Sequence, residues 1–128
     1  MALLRVEELS AYVEYLRTSP GEVDALFREL LIGVTGFFRD PEAFAALEAQ
    51  VLSRLFSDQA EGGTVRAWVP GCSTGEEAYS LAMLLQEQAD LRPRLQRFQV
   101  FATDIDSRAI QHARSGLFPT GIAADVTP

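Results

Sequence analysis

The sequence predicts an α/β fold in which a helical N-terminal part precedes the opening βαβα of a parallel sheet. Up to about residue 57 the apolar residues recur at three- and four-residue steps, as they do on amphipathic helices. From residue 64 the short apolar runs "VRAWV" and "FQVFATD" alternate with helix-length periodic segments, which is the pattern of βαβ units. At 128 residues, 48% apolar and 23% charged, the chain suffices for one compact domain and has a globular rather than a disordered or fibrous composition.

Leu3, Val6, Leu9, Tyr12, Val13 and Leu16 form the stripe of one helix, or of two short ones, and are expected to pack in a core. In "TSPGEVDALFRELL" Ser19 is the candidate N-cap, Pro20 takes the first helical position and Glu22 completes a capping box. Val23, Leu26, Phe27, Leu30 and Leu31 are that helix's apolar face. "GVTGFFRDPEAF" interrupts the helices as a shaped loop, and Asp40 with Pro41 starts a third helix that runs to about Ser57. The polar "DQAEGG" then separates an N-terminal helical part with its linker helix, 1–57, from an α/β part, 64–128. The α/β part reads as strand, the turn "PGCSTG", the helix "EEAYSLAMLLQEQA", the link "DLRPRLQR", strand, and the helix "SRAIQHARSG", which Gly116 closes as a left-handed cap. "LFPTGIAADVTP" has no periodicity. Two parallel strands leave edges and faces open, so further chain, a companion domain or self-association through the sheet edge is expected to cover them.

The formal net charge is −7 and every basic residue is an Arg, which argues against nucleic acid or an anionic membrane as the main partner. A single Cys72, no export leader and no long apolar span point to the cytoplasm and to no membrane insertion. A metal site is not expected, because a second His or Cys ligand is missing.

In an open α/β sheet the ligand lies outside the carboxyl ends of the strands, where residues 70–76 sit. Gly71 and Gly75 let a ligand approach the backbone, and the helix that follows offers N–H groups. Asp104 closes the second strand, where an acid accepts hydrogen bonds from ribose hydroxyls; the bland alternative is that Asp104 or Asp106 only caps the next helix. The turn G-C-S-T-G-E departs from the G-x-G-x-x-G of dinucleotide sites, which disfavours a nucleotide-dependent oxidoreductase. Glu76 repels phosphate but attracts the sulfonium and amine of S-adenosylmethionine, whereas Glu77 reads as an ordinary acid against the helix dipole. Cys72 is read as a small buried turn residue that lines the pocket, His112 as a surface residue near a helix end, and Trp68 and Tyr79 as core aromatics.

"GVTGFFRDPEAF", "PGCSTGEEAYSLAM" and "FATDIDSRAIQHARSGLF", in this order, resemble the CheR family of chemotaxis-receptor methyltransferases over about residues 10–124. The resemblance implies a small helical domain followed by a Rossmann-like methyltransferase domain. It also implies S-adenosylmethionine as cofactor, with S-adenosylhomocysteine as product, and methyl-accepting glutamates of chemoreceptor-like proteins as substrate. Carried over by motif, Thr35, Arg39, Gly71, Cys72, Glu76 and Asp104 line the cofactor site, and Arg39 is nearest the chemistry. Gly33 stands where the family often has Asn, and residues 1–40 lack a basic surplus. The family continues with an inserted β-subdomain and more strands, so a piece truncated at both ends is expected. The alternative is a non-catalytic cofactor-binding or interaction module of a sensory protein.

Overall fold

The computed structural model describes residues 8–31, 33–57, 63–91 and 97–126. Leu3 and Val6 of the first stripe, residues 58–62 of the connector and 92–96 of the link lie outside them. The chain divides into two compact units, Met1–Ile32 and Gly33–Pro128.

The first unit contains α1 (Leu9–Thr18) and α2 (Pro20–Leu30), with Ser19 at the N-cap and Pro20 in the first turn of α2. The expected capping box does not close through side chains. Glu22 and Val23 donate their backbone N–H groups to the Ser19 carbonyl, and the Glu22 carboxylate instead accepts from the Tyr12 hydroxyl at 2.8 Å. Tyr12 is the buried side chain of these two helices, while Leu9, Val13, Val23, Phe27 and Leu30 are exposed. Of the two stripes Tyr12 is buried and Leu16, Leu26 and Leu31 are half-buried, so the expected core role is met in part, because two short helices enclose little volume between them.

In the second unit, α3 (Pro41–Leu47), a π-helical turn (Glu48–Leu52) and α4 (Ser53–Ser57) follow one another without a break. Ser53 Oγ donates to the Glu48 carbonyl five residues back, in keeping with the wider turn. Strand β1 (Thr64–Pro70), helix α5 (Glu76–Asp90), strand β2 (Arg97–Thr103) and helix α6 (Ser107–Ser115) then form the βαβα unit. β1 and β2 pair in parallel from Thr64 opposite Arg97 to Pro70 opposite Thr103. Asp106 caps α6 by accepting the Arg108 N–H at 2.8 Å, and Gly116 closes it at φ 62°. The aperiodic tail holds a 3₁₀ turn, Thr120–Ala124, an element too short for sequence periodicity to reveal.

Period-2 alternation decides the faces of β1. Val65 and Val69 are buried with Ala67 between them, and Arg66, Trp68 and Pro70 point the other way. The main core joins Leu52, Phe56, Val65, Leu84 and Leu85, so the 41–57 helix packs with α5 and β1. A second cluster, Val69, Cys72 and Ala78 with Ile110 against it, lies under the first turn. Trp68 is 68% exposed and opposite Phe101, itself 51% exposed; its indole N–H donates to Thr103 Oγ1 at 3.1 Å. Tyr79 is 36% exposed and donates its hydroxyl to the Ala113 carbonyl. Neither is the core aromatic expected from sequence: Trp68 shares the strand face of Arg66, and Tyr79 ties the start of α5 to the end of α6.

Candidate functional site

Both strands end at the same edge, and three sequence motifs meet there. The first is the turn between β1 and α5. Gly71, Ser73 and Gly75 all have positive φ, 65°, 48° and 102°, so the chain reverses within five residues. A methyl group on Gly71 would find no atom within 4 Å, whereas one on Gly75 would sit 2.9 Å from the Ala113 Cβ. Gly71 thus keeps an open side free, and Gly75 lets α6 pack on the turn.

Left-handed residues in such a turn aim backbone N–H groups into a concavity that suits an anion. Here the protein supplies the partners itself. Cys72 N–H donates to the Thr103 carbonyl at 3.0 Å, Gly75 N–H to the Cys72 carbonyl at 2.9 Å, and Ser73 N–H to Asp104 Oδ2 at 2.7 Å. Spending these donors internally leaves the turn poorly equipped to cradle a pyrophosphate, which adds a physical reason to the motif's departure from a dinucleotide site.

Asp104 is the second motif. Its other oxygen accepts from the Asp106 N–H at 2.8 Å, so one carboxylate braces the ends of both strands. The N–H donors of Asp106 and then Ser73 hold its carboxyl below the ordinary value of 3.8. A carboxylate offers about four acceptor positions, so these two bonds leave room for a pair of hydroxyls. Capping of α6 is the work of Asp106 rather than Asp104.

Glu76 begins α5, is half-buried, and accepts from Thr74 Oγ1 at 2.6 Å; Glu77 beside it is exposed. Cys72 is 2% exposed, and burial first, then Asp104, pushes its thiol above the usual value, so it is a poor nucleophile. Cys72 helps to line a cavity of about 290 Å³ bounded by α5, β2 and α6. With so little of Cys72 exposed, contact between it and a ligand over the turn would fall mainly to its backbone.

The third motif is the 33–40 loop. A methyl group on Gly33 would lie 3.6 Å from Ser73 Oγ, which puts the start of the loop beside the turn. Phe37 is buried edge-to-face against Phe118, which also meets Tyr79 and His112. Phe38 has φ 47° and stacks edge-to-face on Phe44. Thr35 is half-buried, and the exposed Arg39 turns its Nη1 back onto the Val34 carbonyl at 2.6 Å. Two residues that hold the site together were missed in the sequence. Ser73 could not be recognised there, because it acts through its backbone. Ser80, whose Oγ accepts from the Phe38 N–H and donates to the Glu76 carbonyl, left a signal, a polar residue four positions after Glu76 within an apolar helix stripe.

The donor set fits S-adenosylmethionine: an open glycine turn without a phosphate cradle, a half-buried acid at the helix start and an ionised acid at the end of β2. Residues 33–128 match the family model described as "CheR methyltransferase, SAM binding domain". An "uncharacterized 104.1 kDa protein in hypE 3′ region" of Rhodobacter capsulatus is 43% identical over 98% of this chain and 13% of its own length. The "chemotaxis protein methyltransferase" of Escherichia coli is 32% identical over 98% of this chain and 41% of its own. The protein of the same name from Borreliella burgdorferi is 30% identical, over 92% and 44%. The chain spans less than half the length of each of these relatives.

Proposed function

The chain belongs to the CheR methyltransferase family, and on that premise we propose that it supplies the first half of the cofactor site of a protein-glutamate methyltransferase. The bracing of both strand ends by Asp104 is the observation that carries this reading, since it sets an ionised acid against the glycine turn at Ser73. In it, the bound cofactor supplies an electrophilic sulfonium methyl group. Asp104 accepts from the ribose hydroxyls, Glu76 faces the cationic end of the ligand, and Thr35, Gly71 and the Cys72 backbone border it. Arg39, released from the Val34 carbonyl, holds a carboxylate, either that of the methionine portion or that of the substrate glutamate.

A glutamate side chain is ionised near neutral pH, so its oxygen needs no general base. Bound there, S-adenosylmethionine would supply its methyl group to that oxygen and leave as the neutral thioether S-adenosylhomocysteine, so the site would have no proton to move. The demand on the protein is alignment, which suits a site built of turns and a clamp rather than of titrating groups. The substrate in this reading is a chemoreceptor-like protein in bacterial signalling, in keeping with the names of the relatives. The compartment is the cytoplasm, in keeping with a free, buried Cys72. No helix among the described residues is long and apolar enough to cross a membrane. Self-association of the isolated chain through its exposed sheet edge belongs to the same reading.

The test is calorimetric titration of S-adenosylmethionine and S-adenosylhomocysteine into the chain, with Glu76→Ala and Asp104→Ala, followed by a methyl-transfer assay on the full-length parent. Saturable binding that is markedly weakened in both variants, with transfer by the parent, is expected. Binding without transfer would favour a non-catalytic module, and no binding by a folded chain would sink the cofactor site itself.

A further inference from the structure

Ser80 lies one turn into α5 and has no exposed surface. A hydroxyl in that position must find its partners inside the protein. Only one arrangement satisfies both neighbours. The Phe38 backbone N–H can only donate, and it reaches Ser80 Oγ at 3.0 Å. The hydroxyl proton is then left for the Glu76 carbonyl, 2.8 Å away and four residues back along the helix.

Ser80 therefore links Phe38 to the backbone of Glu76, across two of the three motifs. Phe38 is in the left-handed region, where a bulky residue persists only if its surroundings over-determine it. Its N–H is held by Ser80 and its ring by Phe44. The next residue is Arg39, so the backbone direction that leaves Phe38 decides where the guanidinium can reach.

We propose that Ser80 is a positioning residue for methyl transfer: by holding Phe38 in its left-handed conformation it fixes the Thr35–Arg39 loop against the start of α5. The role rests on the reading above, in which loop and turn together hold S-adenosylmethionine. Nothing in it requires Ser80 to touch the ligand.

The test uses Ser80→Ala and the volume-conserving Ser80→Cys, which keeps the site filled but accepts hydrogen bonds poorly, each alone and combined with Arg39→Ala. S-adenosylhomocysteine affinity is measured by calorimetry, and amide exchange is followed at Phe38 and Arg39 against Leu84 and Leu85. We expect affinity to fall about tenfold in both single variants, the scale of one lost hydrogen bond to a buried group. Exchange should quicken at Phe38 and Arg39 while Leu84 and Leu85 stay protected. In the Arg39→Ala background either Ser80 change should cost much less affinity than in the unaltered chain, because the loop's charged contact is gone and only Thr35 is left to position. Additive losses with protection falling throughout α5 would mean that Ser80 is merely structural and would overturn the proposal. So would unchanged affinity despite quickened exchange at Phe38. No binding by the unaltered chain would instead overturn the reading beneath, and the positioning role with it.

Discussion

Replacing Gly75 with alanine should unfold the second unit far more readily than the same change at Gly71, although both glycines have positive φ in one turn. At Gly71, φ 65°, an added methyl group meets nothing within 4 Å, so the cost is the left-handed conformation alone, about 1–2 kcal/mol. At Gly75, φ 102°, the methyl group also comes within 2.9 Å of the Ala113 Cβ and 3.3 Å of Tyr79 Cε2. Overpacking of that kind adds about 1–3 kcal/mol, for a total of about 2–5 kcal/mol. In a domain of this size the melting midpoint should fall by more than about 10 °C for Gly75→Ala and by roughly half of that for Gly71→Ala. Ligand binding should rank the two in the opposite order. The Gly71 methyl enters the open side of the turn and should weaken S-adenosylhomocysteine at least tenfold, about 1.4 kcal/mol. Assayed below its midpoint, Gly75→Ala should stay within about threefold of the unaltered chain. Thermal melts and calorimetry on the same preparations decide it. A Gly75→Ala midpoint within about 3 °C of the parent would refute the close packing of α6 on the turn. Unchanged affinity in Gly71→Ala would refute the placement of the ligand.

The Asp104 carboxyl is held below its ordinary 3.8, so its contribution to stability is complete above that value and is lost as pH falls through the lowered one. Asp104→Asn, which turns an amide N–H₂ toward one of two backbone donors, should cost about 1 kcal/mol near neutrality and flatten the stability curve below about pH 4 in acid-titrated urea melts. Cys72 should react with a thiol-specific disulfide reagent orders of magnitude more slowly in the folded chain than in urea; fast native labelling would contradict its burial. Trp68→Thr with Phe101→Thr removes the large apolar side chains at one paired position of the open sheet face. In sedimentation at high concentration the double variant should associate less than the parent, with little change in melting midpoint.

The βαβα order, the parallel pairing and both ends of α6 were legible in the sequence because each has a local cause: apolar runs of strand length, Asp106 in capping position, Gly116 where only a left-handed residue ends the helix. Trp68 was misread by residue type, although the alternation Val65–Arg66–Ala67–Trp68–Val69 already assigns it to the face of Arg66. The π-helical turn at Glu48–Leu52 leaves the apolar period of 41–57 readable as one helix, so no pattern announces it. The composition break at 58–63 marks the change from helix to strand, whereas contacts divide the chain at Ile32, because the main core joins Leu52 and Phe56 to Val65 and Leu85. Asp104 was legible as an acid at a strand end, but its bonds to Ser73 and Asp106 were not, since they depend on two turns meeting in space.

Those bonds raise the question of whether Asp104 can brace the site and also bind. Its two backbone bonds use one acceptor position on each oxygen and leave about two, the number that a ribose diol needs. The brace would then assist binding, since a carboxylate already fixed loses no rotamer freedom when the ligand arrives. The two roles separate in a cycle that varies protein and ligand together. S-adenosylhomocysteine and its 2′-deoxy analogue are titrated into the unaltered chain and into Asp104→Ala. If the carboxylate accepts from the diol, losing one hydroxyl should weaken binding about tenfold in the unaltered chain and scarcely at all in the variant, because the partner is gone. If Asp104 only braces the turns, the analogue should be penalised equally by both proteins. Equal penalties would remove the ribose from its account and leave the brace, which the hydrogen bonds to Ser73 and Asp106 support on their own.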